Sequence, residues 1–444
     1  LDLVFHGAAR EVGRSCIEVF TQGDRYLLDC GIKFTSSGFS YPEEVFKLKE
    51  IDGVIISHSH LDHIGGLPLF EHHDLVCPIF MTPQTSAIGQ IMLKDSYEIA
   101  KLKKMHDAYE KMDLRLVKKR TKVVDFDKWY QHRKIKFKFL NAGHIPGSAM
   151  TFIEAEGKKL LYSGDINTRT TKLMSPANPK AIKKVVGDVD VLITESTYGN
   201  RTLPKRSLVE KNFVAKVKEV IARGGIALVP VFALGRSQEI LIILGQAGIK
   251  VPIYFDGMGK QLTRKILTNN SSYVINKDLI NDSYFKKVQL VGSQGLRTKV
   301  SHNKKPCIII TTSGMLQGGP VGTYLKELWH EPKNAVLLTG YQVKGTNGWK
   351  LLNEGKIYLD GWLTDAKCEV EKFDFSGHAD IKDIQEFVKT INPKILVVQH
   401  GDEEAVDNLA QWAVQNTSIK KVYGPRIGEK ISVDKKLAEI KNGK

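Results

Sequence analysis

The chain has 444 residues, 42% hydrophobic and 26% charged, with 65 Lys+Arg against 49 Asp+Glu and a formal net charge of +16. That length is long for one core, so two domains are expected, and the composition is that of an ordinary soluble globular protein. No apolar run approaches membrane-spanning length, which excludes a helical membrane protein, and residues 1–5 read as a strand rather than a signal peptide.

The five cysteines (Cys16, Cys30, Cys77, Cys307 and Cys368) are scattered, without a CxxC pair. They read as reduced, buried thiols of an intracellular, cytoplasmic protein, not as a disulfide frame or a zinc knuckle. The basic excess suits a polyanionic partner, although a lysine-rich solvated surface gives the same balance. The densest basic stretch, 101–122, also carries Asp107, Glu110 and Asp113, so its helical part reads as an exposed face.

In chain order, short strands dominate the first 199 residues: 1–5, 16–20, 26–29, 54–57, 78–81, 135–140, 150–154, 159–162 and 191–194, with a helical pattern at 85–105. From about 200 to 368, helices alternate with apolar strands: helix 208–222, strand 226–231, helix 237–246, strand 251–255 and strand 307–311. The tail returns to helix 380–390, strand 395–399 and helix 403–415. No repeat or Gly/Ser linker intervenes, so a second domain is expected as an insertion, with the tail folding back onto the first part.

The chemistry concentrates at strand ends. Ser57-His58-Ser59-His60-Leu61-Asp62-His63 releases three imidazoles and a carboxylate into one loop directly after an apolar strand. A polynuclear metal site needs such a density of nitrogen and oxygen ligands. Asp29, His144, Asp165, His378 and His400 repeat the setting, each with glycine adjacent or close by, where backbone can turn sharply beside a crowded ion. The remaining histidines (His6, His72, His73, His106, His132, His302 and His330) lack that setting and read as structural or surface residues.

The series Asp29, His58-x-His60-x-Asp62-His63, His144 and Asp165 resembles the successive metal motifs of the metallo-β-lactamase fold. Glu195 in Thr194-Glu195-Ser196-Thr197-Tyr198-Gly199, then His378 and His400, resemble the three additional motifs of its β-CASP subgroup of nucleases. The stretches Gly7-Ala8-Ala9-Arg10-Glu11-Val12-Gly13-Arg14-Ser15, Phe232-Ala233-Leu234-Gly235-Arg236-Ser237-Gln238-Glu239 and Thr312-Ser313-Gly314-Met315-Leu316 agree with it. Within that subgroup the chain resembles a short, archaeal-type relative of the endonuclease subunit of the cleavage and polyadenylation specificity factor.

The resemblance implies an α/β fold: an αββα metallo-β-lactamase sandwich formed by 1–199 and 376–444, with an inserted α/β β-CASP domain at 200–375. It implies two Zn2+ ions, one held by His58, His60 and His144, the other by Asp62, His63 and His400. Asp165 bridges them and Asp29 orients ligands from behind. Nitrogen-rich donors favour zinc, and manganese or iron remain open. Two such ions roughly 3.5–4 Å apart hold a bridging hydroxide near neutral pH. His378 is then the general acid, Glu195 holds its tautomer, and Asp62 completes the catalytic set. Ser313 and Ser376, each beside glycine, are candidates for phosphate contacts or for simple turns.

The expected activity is cleavage of single-stranded RNA to 3′-hydroxyl and 5′-phosphate ends, in RNA processing or decay. DNA-directed members of the subgroup lack a histidine at the His400 position, which points to RNA. A 5′→3′ exoribonuclease of ribonuclease J type is the alternative within enzymes. A non-catalytic RNA-binding subunit is the rival from another class, and the intact ligand set argues against it. A homodimer through tail or cap, and partners in a processing complex, are left open; no membrane partner is expected.

Overall fold

The computed structural model describes residues 1–35, 38–102, 109–269 and 273–433. His106, Asp107 and the end of the helix expected at 85–105 lie outside these residues. The remaining elements expected from the sequence are present, with ends shifted by up to two residues. By internal contacts the described chain forms two units. One comprises Leu1–Thr170, Pro176–Thr202 and the described residues from His378 onward; the other comprises Thr171–Ser175 and Leu203–Gly377.

The first unit contains two seven-stranded sheets. One orders its strands 430–432, 2–7, 16–21, 24–28, 53–55, 79–81 and 121–123; the other runs 421–423, 395–399, 191–195, 158–162, 149–155, 135–141 and 129–132. The strand Ile135–Asn141 illustrates the pattern. Ile135, Phe137 and Phe139 are fully buried, while Lys136 and Lys138 between them stay half-exposed, the period-two alternation of a strand covered on one face. Those three side chains join Leu3, Phe5, Ile17, Tyr26, Tyr162 and Ile193 in a core between the two sheets. Each such burial contributes roughly 1.5–3 kcal/mol.

Outside the second sheet, a second core packs helices Pro179–Val186, Ile381–Ile391 and Glu403–Asn416 against it. Outside the first sheet, Leu67, Phe70, Leu93 and Val117 bring helical segments onto Val54, Ile56 and Ile79. The layering is therefore αββα. Val191–Glu195 and Ile395–Gln399 are buried at every position, as parallel strands covered on both faces must be.

The second unit is built on a six-stranded sheet, ordered 289–290, 253–256, 307–311, 226–230, 335–338 and 369–372, with every pair parallel. One face packs helices Arg206–Ala222 and Arg236–Gln246 through Phe213, Val217, Ile240 and Leu244. The other packs helices Val321–Leu328 and Asn347–Glu354 through Tyr324, Leu325 and Leu351. Residues 171–175 join this unit because Met174 bridges Val274 and Ser175 N–H donates to the Tyr273 carbonyl at 3.0 Å. Among the described residues no helix is long and apolar enough to cross a membrane.

Candidate metal centre

In the first unit the carboxyl ends of both sheets' parallel strands release the chemical groups. Asp29 follows Asp24–Leu28, and His58 lies just beyond Gly53–Ile55. Asp165 follows Lys158–Tyr162, Glu195 ends Val191–Glu195, and His400 follows Ile395–Gln399. The last two strands are parallel neighbours with Glu195 opposite Gln399, so their terminal side chains emerge together. The turn Leu61–Ile64 places Asp62 and His63 one helical step beyond His58 and His60. Gly31 has to be glycine, since a Cβ there would lie 1.7 Å from the Asp62 carbonyl oxygen.

His58, His60, His144 and Asp165 offer ligand atoms that all lie within 4.8 Å of one another, and so do His63, Asp165 and His400. Asp62 groups with His58 and His63, and its Oδ2 lies 3.5 Å from His400 Nε2. Asp165 is central. Its Oδ2 is 3.5 Å from Nε2 of both His58 and His63 and 3.7 Å from Nε2 of His144, and its Oδ1 is 3.4 Å from His400 Nδ1. His58, His63, Asp165 and His400 are buried, whereas the Asp62 side chain is 27% exposed.

These residues fit a bound metal cation. His63 Nε2, His400 Nε2 and Asp165 Oδ1 are buried without a hydrogen-bond partner. Bare lone pairs in the interior are costly, and a cation between them satisfies all at once. His60 Nδ1 lies 3.2 Å from both His58 Nε2 and His144 Nε2, a crowding of imidazole nitrogens that shared protons alone relieve poorly. The electrostatics agree. Burial pushes the His58 and His60 imidazoles below their usual range. Burial opposes charge on Asp165 as well, yet the His400, His63 and His58 rings outweigh it and hold that carboxyl well below the usual range. At His63 the balance reverses, because Asp165, Asp62 and Asp29 overcome burial and raise the ring. The site draws positive charge inward.

Behind the cluster, Asp29 is fully buried with left-handed backbone (φ 62). Its Oδ1 accepts the Ser57 N–H at 2.7 Å; its Oδ2 accepts from the Ser57 hydroxyl, the Tyr162 phenol and His63 Nδ1, each at 2.7 Å. Burial and Asp29 push the Tyr162 phenol upward, so it remains a donor. The Ser57 hydroxyl also lies 3.0 Å from His58 Nδ1. Ser57 and Tyr162 are the supports that sequence reasoning missed. Ser57 sits inside the histidine motif, a signal available to it, while nothing in sequence marks Tyr162.

Beside the cluster, His378 Nδ1 meets Glu195 Oε2 at 2.9 Å and Oε1 at 3.2 Å, and its ring centre is 4.4 Å from that of His144. Glu195 is fully buried and accepts the Ile166 N–H at 2.6 Å. Burial disfavours a charged His378, but Glu195 and then Asp165 outweigh it, raising the ring to about 10. The following helix is capped by Asp380, which accepts the Asp383 N–H at 3.0 Å.

Ser313 and Ser376 belong to the second unit. The Ser313 hydroxyl donates to the Gln317 carbonyl at 2.8 Å and accepts the Gln317 N–H at 3.0 Å, closing its own turn. The Ser376 carbonyl accepts from Arg206 at 3.1 Å. Among the described residues the other histidines have local partners: His6 meets Glu18 at 2.8 Å, His72 meets Asp113 at 2.9 Å, and His73 stacks on Phe46. All five cysteines are free and buried.

An αββα sandwich with a buried His/Asp cluster at its strand ends defines a metal-dependent hydrolase of the metallo-β-lactamase type. The metallo-beta-lactamase superfamily domain matches residues 20–196, the Beta-Casp domain residues 237–351, and the Zn-dependent metallo-hydrolase RNA specificity domain residues 365–425. The chain belongs to the β-CASP group of the metallo-β-lactamase superfamily. It is 38% identical to "Probable RNase MJ4" of Methanocaldococcus jannaschii, covering 98% of this chain and 100% of that one. It is 36% identical to "RNase aCSPSF2" of Saccharolobus solfataricus, over 96% of this chain and 84% of the other. It is 32% identical to "Cleavage and polyadenylation specificity factor 73" of Drosophila melanogaster, over 95% and 63%. A protein of unknown function from Enterococcus faecalis V583 shares the fold, with a TM-score of 0.61 at 13% identity over 97% of this chain and 99% of that one.

Proposed function

We propose that this chain is a zinc-dependent ribonuclease that cleaves single-stranded RNA and leaves 3′-hydroxyl and 5′-phosphate ends. The observation that carries the reading is the His378–Glu195 pair at 2.9 Å beside the histidine–aspartate cluster, in a chain whose relatives are named as RNases. Metal ions bound there would supply hydroxide near neutral pH and offset the charge of the phosphodiester. In this reading His58, His60 and His144 would hold one ion and Asp62, His63 and His400 the other, with Asp165 available to both.

Attack forms one P–O bond while the bond to the 3′-oxygen breaks. That oxygen takes a proton from His378 Nε2 and leaves as the 3′-hydroxyl; the new bond becomes the 5′-phosphate. With Nδ1 engaged by Glu195, Nε2–H is the proton available for donation. The carboxylate also keeps the ring charged near neutrality, so the acid is loaded before substrate arrives. Asp29 and Ser57 turn His63 and His58 from behind, with the precision that an assembled ion site requires.

Cutting inside the strand is the primary reading, and 5′→3′ exonucleolysis is the second. The second is favoured by 36% identity to an "RNase J-like protein" of M. jannaschii, over 90% of this chain and 92% of that one. Digestion of one labelled RNA in 5′-triphosphate, 5′-monophosphate and circular forms separates them. A cut circle establishes the endonuclease; mononucleotides released only from 5′-monophosphate ends establish the exonuclease. All three forms intact in the zinc-loaded protein contradict both.

A further inference from the structure

Three imidazole rings of the first unit present Nε2 toward the cluster, and each has an oxygen at its Nδ1. For His63 that oxygen is the Asp29 carboxylate at 2.7 Å, and for His58 it is the Ser57 hydroxyl at 3.0 Å. For His400 it is the hydroxyl of Thr197, at 3.3 Å. Thr197 lies two residues beyond Glu195, and no metal or proton-transfer role falls to it in the account above.

The direction of the Thr197 hydrogen bonds decides what it does. A hydroxyl has one proton to donate. Thr197 Oγ1 donates it to the His400 carbonyl at 3.3 Å, so toward the ring it can only accept. Asp165 Oδ1 lies 3.4 Å from the same nitrogen without hydrogen-bonding to it. With the hydroxyl proton directed at the carbonyl, the contact to the ring requires the proton on Nδ1, which leaves Nε2 as a bare lone pair. That nitrogen is buried, has no hydrogen-bond partner and lies 3.5 Å from Asp62 Oδ2.

The backbone of His400 needs this hold. It adopts left-handed φ (50), a conformation disfavoured for a residue with a side chain. Its N–H donates to the Ala8 carbonyl at 2.7 Å, and its carbonyl accepts the Ser196 N–H at 3.2 Å as well as the Thr197 hydroxyl. One side chain thus contacts both the ring and the carbonyl of this histidine.

We infer that Thr197 is a positioning residue that fixes His400 in the Nδ1–H tautomer, so that Nε2 is delivered to the ion shared with Asp62 and His63. The inference rests on the proposed metal assignment and adds a residue to it. The test is metal uptake rather than activity. Wild-type protein, Thr197→Val and Thr197→Ser are dialysed against graded chelator, and bound zinc is counted by mass spectrometry.

Val keeps the shape and removes the hydroxyl. Thr197→Val is expected to bind one zinc as wild type does and the second about 10–100-fold more weakly, with Thr197→Ser restoring it. A general loss of structure would weaken both ions and lower the melting temperature in chelator, and Ser would not restore one ion selectively. Equal uptake of two zinc ions by wild type and Thr197→Val overturns the inference alone. Fewer than two ions in the wild type overturns the metal assignment and the inference with it.

Discussion

Replacing Asp29 by Asn tests the support of the cluster without touching a ligand. The buried carboxylate takes four donors: the Ser57 N–H on Oδ1, and the Ser57 hydroxyl, Tyr162 phenol and His63 Nδ1 on Oδ2, all at 2.7 Å. An amide has one acceptor oxygen. Its better orientation puts that oxygen where three donors converge and turns its NH2 toward the Ser57 N–H. The Ser57 N–H and the new NH2 then face each other without an acceptor, at about 1–3 kcal/mol, and three charge-assisted bonds become neutral ones, each weaker by roughly 1 kcal/mol. Cheaper burial of a neutral group offsets part of this, so about 3 kcal/mol of net destabilisation is expected. His63 also loses its anchor, which lowers metal affinity by about 10–100-fold. Thermal unfolding in chelator reads the first effect, and zinc competition with a chromophoric chelator reads the second. Wild-type stability together with wild-type affinity in Asp29→Asn would refute the reasoning.

Four further outcomes follow from the same geometry. His378→Ala is expected to keep both ions and lose about 10²–10⁴-fold in turnover, as single-turnover cleavage will show. His60→Ala is expected to lose metal as well as activity, so elemental analysis separates the two variants. Because His378 is raised to about 10, its protonated form is present at neutral pH and is lost as pH rises through that value. Turnover therefore falls on the alkaline side, and in Glu195→Gln the fall moves toward the ordinary histidine range. At pH 7.5 a ring near 6.5 is only about one-tenth protonated, so the variant loses about tenfold from this cause alone. A pH–rate profile unchanged by Glu195→Gln contradicts the pairing.

In the second unit, burial raises the Glu239 carboxyl, but its neighbours Arg206 and Arg236 prevail and lower it. Its stabilising contribution is thus present above the ordinary glutamate range and is lost as pH falls through the lowered value. Glu239→Gln leaves two mostly buried guanidinium groups short of a carboxylate. It is expected to cost this unit about 3–5 kcal/mol, read by calorimetry at neutral pH.

Much of the candidate site is legible in the sequence, because ligands at strand ends beside glycine form compact motifs. His58, His60, Asp62 and His63 are neighbours in the chain, and His144, Asp165 and His400 repeat the strand–loop setting. Their hydroxyl supports are less legible: Ser57 and Thr197 lie within motifs, yet each support has a partner distant in the chain. Ser57 is 28 positions from Asp29, Tyr162 is 133 positions from it, and Thr197 is 203 positions from His400. Such residues acquire a role only when the sheets bring them together. Amphipathic periodicity similarly reveals Ile135–Asn141 and Glu403–Asn416. The hairpin Lys356–Leu359 with Trp362–Asp365 gives no comparable signal, since it buries one side chain fully, Ile357, and exposes Trp362. Residues 171–175 belong with the second unit through the Met174–Val274 bridge and backbone bonds to Tyr273 and Ile275, which no local composition announces.

The central claim is that this cluster hydrolyses RNA when it holds metal. The most direct measurement is cleavage of an end-labelled single-stranded RNA by metal-stripped protein titrated with zinc, with the ends of the products identified. The account predicts no cleavage without metal, a rate that rises until two equivalents are bound, and products carrying 5′-phosphate and 3′-hydroxyl ends. Two bound equivalents with intact RNA, or cleavage at full rate by the stripped protein, would contradict it.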